Sequence, residues 1–189
     1  MDAFSYLTVL LSIILGLSIT QILQGLGALI QYRARIVFYW PAVCWAVLLL
    51  LIDVQVWWAM FGLRVRQDWS FLHFLILLLQ VIPLCMLATL VLPAIAPDSD
   101  KPVDLRQNYY GHSRWFFALL VASLAASLVK ERVLLGQWSD PVNFAFQFAW
   151  VAGSAGAGLT RRDWYHKACA VLSSLSFVLY IAFLFSKLR

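Results

Sequence analysis

Six long apolar runs, each about the length that crosses a lipid bilayer, take up most of this chain. A helix needs about 20 mostly apolar residues to span the hydrocarbon core of a membrane. The sequence therefore predicts an all-α integral membrane protein with six transmembrane helices. Their predicted ranges are 4–31, 38–63, 69–93, 115–136, 141–159 and 164–188.

The composition excludes a soluble domain. Of the 189 residues, 63% are hydrophobic and only 12% are charged, whereas a soluble domain carries about 25% charged residues. A chain of this size cannot hide such an apolar surplus in one core. The net charge of +5 comes from basic residues near the ends of the apolar runs, where membrane proteins usually keep them. We therefore expect a lipid bilayer around the chain and no nucleic-acid partner. The composition is typical of small multi-span proteins of bacterial inner membranes.

The chain divides into two three-helix halves joined by a polar connector. Residues 1–96 hold the first three spans, residues 97–114 form the connector, and residues 115–189 hold the last three spans. In each half a proline opens the second helix (Pro41, Pro141) and an Arg-x-Asp-Trp sequence precedes the third. A three-helix unit repeated in this way inverts its orientation, as in many secondary transporters. The alternative is that these residue types simply recur at the ends of membrane helices.

The basic residues favour an N-terminus outside the cell by eight to six, because loops on the inner side carry the excess of lysine and arginine. The eight on the inner side are then Arg33, Arg35, Lys101, Arg106, Arg114, Arg161, Arg162 and Lys167. The six on the outer side are Arg64, Arg66, Lys130, Arg132, Lys187 and Arg189.

Asp53 stands near the middle of the second span, directly after four leucines and an isoleucine. A carboxylate at this depth costs about 2.5–3.5 kcal/mol to insert and is by default a candidate functional group. Lys130, near the end of the fourth span, lies within roughly 5 Å of the same depth at 1.5 Å per residue. Lys130 is therefore a candidate counter-charge. The alternative is that it reaches the headgroups along its aliphatic stem.

Neutral polar residues on other spans are candidates to line a path beside Asp53. Thr20 and Gln24 lie on the first span, and Gln80 lies on the third. With Asp53 and Lys130 they form the predicted transport path or ion-binding site. Their alternative role is hydrogen bonding between helices, which is worth about 0.6 kcal/mol for each bond.

Small residues recur at helical spacing in two spans and predict close helix packing. Gly16 and Gly27 share a face of the first span with Thr20 and Gln24, a face that could equally line a hydrated path. In the fifth span the small residues repeat every four positions, the small-xxx-small pattern of tight contacts between membrane helices. They are Ala149, Gly153 and Ala157.

The sequence offers no recognisable catalytic or cofactor motif. It contains no HExxH, P-loop or GxGxxG sequence, and its three cysteines lie singly within apolar runs. We therefore expect no catalytic residue, no metal site and no cofactor.

The first functional hypothesis is a channel or transporter that passes an ion, a proton or a small polar solute along a path near Asp53. Because six short helices make a thin wall, a homo-oligomer is expected. The alternative is a non-conducting membrane subunit, chaperone or sensor that acts by helix–helix recognition. A second alternative is an intramembrane enzyme acting on a lipid or quinone.

Overall fold

A computed structural model of the chain describes residues 3–65, 68–96, 101–134, 136 and 141–185. These residues form six α-helices joined by short connections. The helices are α1 (Ala3–Gln31), α2 (Trp40–Met60), α3 (Phe71–Val91), α4 (Leu105–Leu134), α5 (Pro141–Leu159) and α6 (Asp163–Tyr180). Further helical turns follow α1, α2 and α6 at Arg33–Arg35, Phe61–Val65 and Ile181–Phe185.

Four of the helical segments are long and apolar enough to cross a membrane, in agreement with the predicted class of all-α integral membrane protein. These segments are Phe4–Gln31, Trp40–Arg64, Phe71–Val91 and Asp163–Phe183. The helices α4 and α5 are not among the four. α4 opens with a polar stretch and closes with three charged residues in a row, and α5 is diluted by glycine, serine and amide residues.

The helices pack into a single bundle in which α3 lies between α1 and α4, and α4 packs along α5. α2 contacts α1, α3 and α6, and α6 also contacts α5. Aromatic side chains join α2 to α4: the fully buried Trp45 ring lies edge-on to Phe116 and Phe117, with ring centroids 5.5 and 5.4 Å away. Apolar side chains also cover the outside of the bundle, and Leu79, Leu172 and Val178 are each more than half exposed. Lipid is the natural neighbour of such a surface.

Two short strands pair at the end of the bundle where α2 and α4 begin. The strand β1 (Ile36–Val37) pairs in parallel with β2 (Val103–Asp104). At the last residue of β2, Oδ1 of Asp104 accepts hydrogen bonds from the backbone N–H groups of Arg106 at 2.7 Å and Gln107 at 3.1 Å. This side chain caps the helix, which fixes the start of α4.

The start of α4 corrects the predicted polar connector over 97–114. Residues 105–114 are helical, so the helix begins ten residues before the predicted span at 115. Hydropathy cannot reveal such a segment, because a polar sequence forms a helix outside the hydrocarbon core when its first turn is capped. Residues 97–100 of the connector lie outside the described residues. The same holds for Arg66, Lys187 and Arg189 of the basic residues counted above.

Smaller differences occur at the ends of α3. This helix begins at Phe71 and ends at Val91, inside the predicted span 69–93. Ser70 and His73 explain the later start, because each side chain accepts a hydrogen bond from the backbone N–H of the other at 3.3 Å. Such a capping box satisfies two N–H groups at the helix start.

Candidate functional site: a polar row inside the bundle

The carboxyl group of Asp53 lies where three helices meet. Asp53 on α2 is only 1% exposed. The Ser18 hydroxyl of α1 donates a hydrogen bond of 2.6 Å to its Oδ2 atom, a length typical of a hydroxyl bound to a carboxylate. The same hydroxyl lies 3.4 Å from the backbone oxygen of Leu84 on α3. The contacts place Asp53 at the junction of α1, α2 and α3.

The second oxygen of Asp53, Oδ1, has no hydrogen-bond partner among the described residues. Buried polar atoms are nearly always paired, so an exception needs an explanation. At this position the oxygen is available to an incoming hydrogen-bond donor or cation.

Lys130 and Asp53 do not form an ion pair in the described part of the chain. The partner of Asp53 is Ser18, which the sequence analysis did not single out. The helix order explains this difference, because α1 packs on both α2 and α3, whereas α4 packs mainly on α3 and α5. Lys130 lies half-buried, four residues before the end of α4.

A cavity of about 70 Å³ lies beside this junction, between α2, α3, α4, α5 and α6. Gln80 of α3 and Gln147 of α5 line it, and the Oε1 atom of each is buried without a hydrogen-bond partner among the described residues. A water molecule takes about 30 Å³ in the liquid, so the cavity has room for about two. Its lining offers two acceptors to whatever enters.

Gln147 is held by a carboxylate near the far end of α4. Its Nε2 atom lies 3.0 Å from Oε1 of Glu131 and 3.2 Å from Oδ1 of Asn143. Asn143 also donates to the same Glu131 oxygen at 2.9 Å. Because the amide nitrogen is engaged in this way, the amide oxygen of Gln147 is the group left for the cavity.

Asp53, Gln80, Gln147 and Glu131 thus form a series that we call the polar row. Gln80 lies one helical turn, about 6 Å, from Leu84 at the Asp53 level, in the direction of the Glu131 end. The Ser123 hydroxyl of α4 donates to the backbone oxygen of Gln80 at 3.0 Å, close to the point where Pro83 weakens the α3 hydrogen-bond ladder. The row runs from mid-bundle towards the end at which α2 and α4 finish.

Thr20 and Gln24, the other predicted path residues, lie away from the polar row. Both are exposed on the outer face of α1, and the Thr20 hydroxyl donates to the backbone oxygen of Gly16 at 2.7 Å. Gly16 and Gly27 lie on the same outer face, and a Cβ atom added at either would meet nothing within 4 Å. Within the part of the chain that the structure describes, nothing packs closely on these two glycines.

The predicted small residues of α5 have three different surroundings. Ala157 is fully buried, Ala149 is exposed, and the backbone oxygen of Gly153 accepts a hydrogen bond of 3.1 Å from Tyr165. The closest approach involves another glycine of the same helix, Gly156, where an added Cβ would collide with the hydroxyl of Tyr165.

A second polar cluster lies at the end of the bundle where α2, α4 and α6 begin. Oδ1 of Asp163 accepts hydrogen bonds from the hydroxyls of Tyr39 at 2.9 Å and Tyr110 at 3.1 Å. Lys167 lies 2.6 Å from Oδ2, and Arg106 lies 3.4 Å from Oδ1. Burial, then the hydrogen bonds to Tyr110 and Asp163, raise the pKa of Tyr39 above its usual range, so this hydroxyl remains a donor. The sequence analysis missed the cluster, because tyrosines at helix ends are usual in membrane proteins.

His166 completes this cluster with a hydrogen-bond contact at each ring nitrogen. It is completely buried, with Nε2 2.9 Å from the backbone oxygen of Thr160 and Nδ1 3.0 Å from the Tyr109 hydroxyl. A carbonyl oxygen only accepts, so we assign the proton to Nε2 and make Nδ1 the acceptor for Tyr109. Across the described residues, no three histidine, cysteine, aspartate or glutamate side chains lie close enough to hold a metal ion.

Comparisons with known protein families, with curated proteins and with solved structures give no match for this chain. The functional argument therefore rests on the chemistry of the polar row. That row combines a buried carboxyl group, a small cavity and three buried side-chain oxygens without partners.

Proposed function

We propose that the protein is a six-span transporter or channel that passes a proton, a small ion or a small polar solute along the polar row. The observation that carries this proposal is the buried, half-satisfied carboxyl group of Asp53 beside a cavity with two further unpaired oxygens. In a membrane-spanning helix, ionisable residues of this kind commonly mark transport paths and proton relays.

The chemistry of the polar row favours an occupant that donates hydrogen bonds; Gln80 and Gln147 line the cavity, and Asp53 lies next to its lining residue Ile52. Oδ1 of Asp53 and the Oε1 atoms of Gln80 and Gln147 are all acceptors. A proton on water, an ammonium-like cation or a small solute with hydroxyl or amino groups matches them, whereas an anion does not. The volume of the cavity restricts the occupant to about the size of two water molecules.

The surroundings of the row favour a transporter or a gated path over a continuously open pore. Trp45 lies about two turns from Asp53 in the direction of the start of α2, and its contacts with Phe116 and Phe117 fill the bundle there. In the opposite direction the row continues to Glu131 near the end of α4. An occupant would therefore enter from the Glu131 end and require the aromatic contacts to separate before leaving.

The proposed six-span arrangement is supported by the way α4 and α5 use their polar residues. Gln147 and Ser154 of α5 are buried, and Ser123 of α4 bonds to α3. These polar groups lower the hydropathy of α4 and α5, but they are buried inside the bundle and do not face lipid. An inverted repeat of three helices is supported by Pro41 and Pro141, which both lie in the first turn of their helices.

The proposed orientation of the chain in the membrane is supported by its basic residues. The eight basic residues assigned to the inner side all belong to connections or helix ends at the start of α2, α4 and α6. This distribution supports an N-terminus on the outer side, and the bacterial inner membrane is the setting we propose. The Glu131 end of the row then faces the outer side.

A homo-oligomer is proposed through the outer face of α1. Gln21 and Gln24 are exposed there on an otherwise apolar helix, and an amide that faces lipid has no partner for its hydrogen bonds. A second copy of the same face supplies a matching amide, and Gly16 and Gly27 permit the close approach. The same stripe also supports the alternative function, a non-conducting subunit or sensor that recognises another membrane helix.

Flux into liposomes tests the proposed function. The purified chain is reconstituted and challenged with gradients of protons, potassium and ammonium, and with an uncharged polar solute. We expect flux in the wild type and a fall to the level of empty liposomes for Asp53→Asn at equal incorporation. Asp68→Asn, at an exposed aspartate outside the helices, is the matched control and should conduct normally. Equal flux in wild type and Asp53→Asn, or no flux of any probe, contradicts the proposal.

A further inference from the structure

The end of the bundle where α2, α4 and α6 begin carries a large excess of positive charge. Eight basic residues belong to this end, but only two described acidic residues do, Asp104 and Asp163. Both carboxylates are already engaged, Asp104 by the first turn of α4 and Asp163 by two tyrosines and two cations. Neither carboxylate is therefore left over as a counter-charge for Arg161 among the described residues.

An open cleft of about 480 Å³ lies within this positive surface. The first two turns of α4 form one side and Arg161, in the turn between α5 and α6, forms the other. The side chains that line it are Asp104, Arg106, Gln107, Tyr110 and Arg161, with Gly111 beside them. The cleft is separate from the polar row, which lies in the interior of the bundle.

Arg106 is held in place at the cleft while most of its donors remain available. Its guanidinium lies 6.0 and 5.9 Å from the ring centroids of Tyr39 and Tyr110, and one nitrogen lies 3.4 Å from Asp163. A guanidinium has five N–H donors, and the side chain is 59% exposed. Arg161 is also exposed, and no side-chain bond of it is found in the described part of the chain.

We propose that this cleft binds the phosphate group of an anionic phospholipid, with Arg106 and Arg161 as its ligands. The planar donors of arginine match phosphate oxygens, and two such residues on opposite sides of a cleft form a clamp. Asp104 is the one acidic side chain in the lining, and its Oδ1 atom accepts from two backbone N–H groups of α4, whose partial positive charge offsets part of its own. A lipid is the occupant that the surroundings favour, because the exposed side chains of Phe38 and Trp164 lie at the same end, as aromatic anchors at the headgroup level do.

Native mass spectrometry of the purified full chain tests the site, with phosphatidylglycerol and phosphatidylcholine as probes. We expect phosphatidylglycerol to bind more tightly than phosphatidylcholine, and each of Arg106→Gln and Arg161→Gln to weaken it by about tenfold. Arg64→Gln is the matched control, because Arg64 is exposed at the opposite end, with its guanidinium 3.7 Å from the centroid of the Phe61 ring. Arg64→Gln should bind phosphatidylglycerol as the wild type does.

Equal binding of the two lipids, or wild-type binding by both cleft variants, overturns the proposal. Glycerol phosphate added as a competitor separates the two sources of phosphate. Competition at the same concentration as phosphatidylglycerol would identify a soluble phosphate ligand and overturn the assignment to lipid. If Arg106→Gln fails to fold, Arg161→Gln still decides the matter. The test does not involve flux, so it stands or fails independently of the proposed function.

Discussion

Two aspartates, one at mid-bundle and one at the basic end, have opposite surroundings. Asp53 is 1% exposed, yet within the described residues it receives a single hydrogen bond, from Ser18. The Asp163 side chain is 31% exposed, yet four donors surround it, two hydroxyls and two cations. The partly exposed Asp163 thus has hydrogen bonds and ion pairs from the protein. The buried Asp53 has one oxygen without a hydrogen-bond partner among the described residues.

This difference distinguishes a group that holds the fold together from a group held ready for an occupant. Asp163 joins the beginnings of three helices, because Tyr39 precedes α2, Tyr110 lies on α4, and Asp163 itself begins α6. Asp53 contributes little to holding the helices together, since one hydrogen bond does not compensate for the burial of a carboxyl group. Under the proposed function, this group is kept in the bundle interior at a cost in stability because it serves transport.

The largest expected effect is that one variant loses flux but keeps its stability, whereas the other keeps its flux but loses stability. Asp53→Asn removes the ionisable group, so flux should be lost. It keeps an acceptor for Ser18, so the free energy of unfolding should be unchanged or higher. Asp163→Ala should conduct but lose about 1–2 kcal/mol of unfolding free energy, because it removes the acceptor that the Tyr39 and Tyr110 hydroxyls share. Flux assays and thermal unfolding in detergent measure the two quantities.

An exposed aspartate is the control for this pattern. Asp68→Ala should change the unfolding free energy by less than about 0.5 kcal/mol, as surface substitutions usually do. If Asp53→Asn lowers stability more than Asp163→Ala does, Asp53 is a structural residue and the contrast between the two sites is wrong.

A smaller effect is expected at Gln80, whose Oε1 atom is buried without a partner among the described residues. Gln80→Met removes this oxygen at similar volume. The unfolding free energy should therefore rise by about 1 kcal/mol, while flux falls several-fold because one acceptor of the row is gone. Gln24→Met on the exposed face of α1 is the matched variant and should leave flux unchanged. A destabilised Gln80→Met with normal flux would show that the oxygen serves packing alone.

The smallest effect is a dependence of stability on alkaline pH at Tyr39. The folded chain raises the pKa of this hydroxyl above the ordinary value of 10.0, so its contribution is complete below pH 10 and is lost as the pH rises further. Tyr39→Phe should make this loss shallower by up to about 1.4 kcal/mol per pH unit. Unfolding between pH 8 and 11 measures the slopes, and Tyr6→Phe, at an exposed tyrosine, should keep the wild-type slope.

Hydropathy predicts the helices of this chain well because a run of apolar residues must match the thickness of the bilayer. It fails at the start of α4, where the Asp104 cap and the pairing of β1 with β2 determine the structure instead. The pairing of β1 with β2 joins segments far apart in sequence, so no local pattern reveals it.

The candidate site is predictable only in part, for a related reason. Depth identifies Asp53 from the sequence alone, because charge near the middle of a span is costly. Its partner depends on the order of helices around the bundle, which brings in Ser18 instead of Lys130. Glu131 is missed because it stands between two basic residues at the end of a helix. Only the fold shows that Asn143 and Gln147 reach it.

The Ser18–Asp53 contact also has a consequence for the order in which the chain is made. Ser18, Asp53 and Leu84 all lie within the first 96 residues, so the costly carboxyl group has its hydroxyl partner before α4 is synthesised. Asp163 and the partners that surround it become complete only when α6 emerges. The first three helices can thus enter a membrane with Asp53 already paired, while the basic end is fastened last, as the final helix joins α2 and α4.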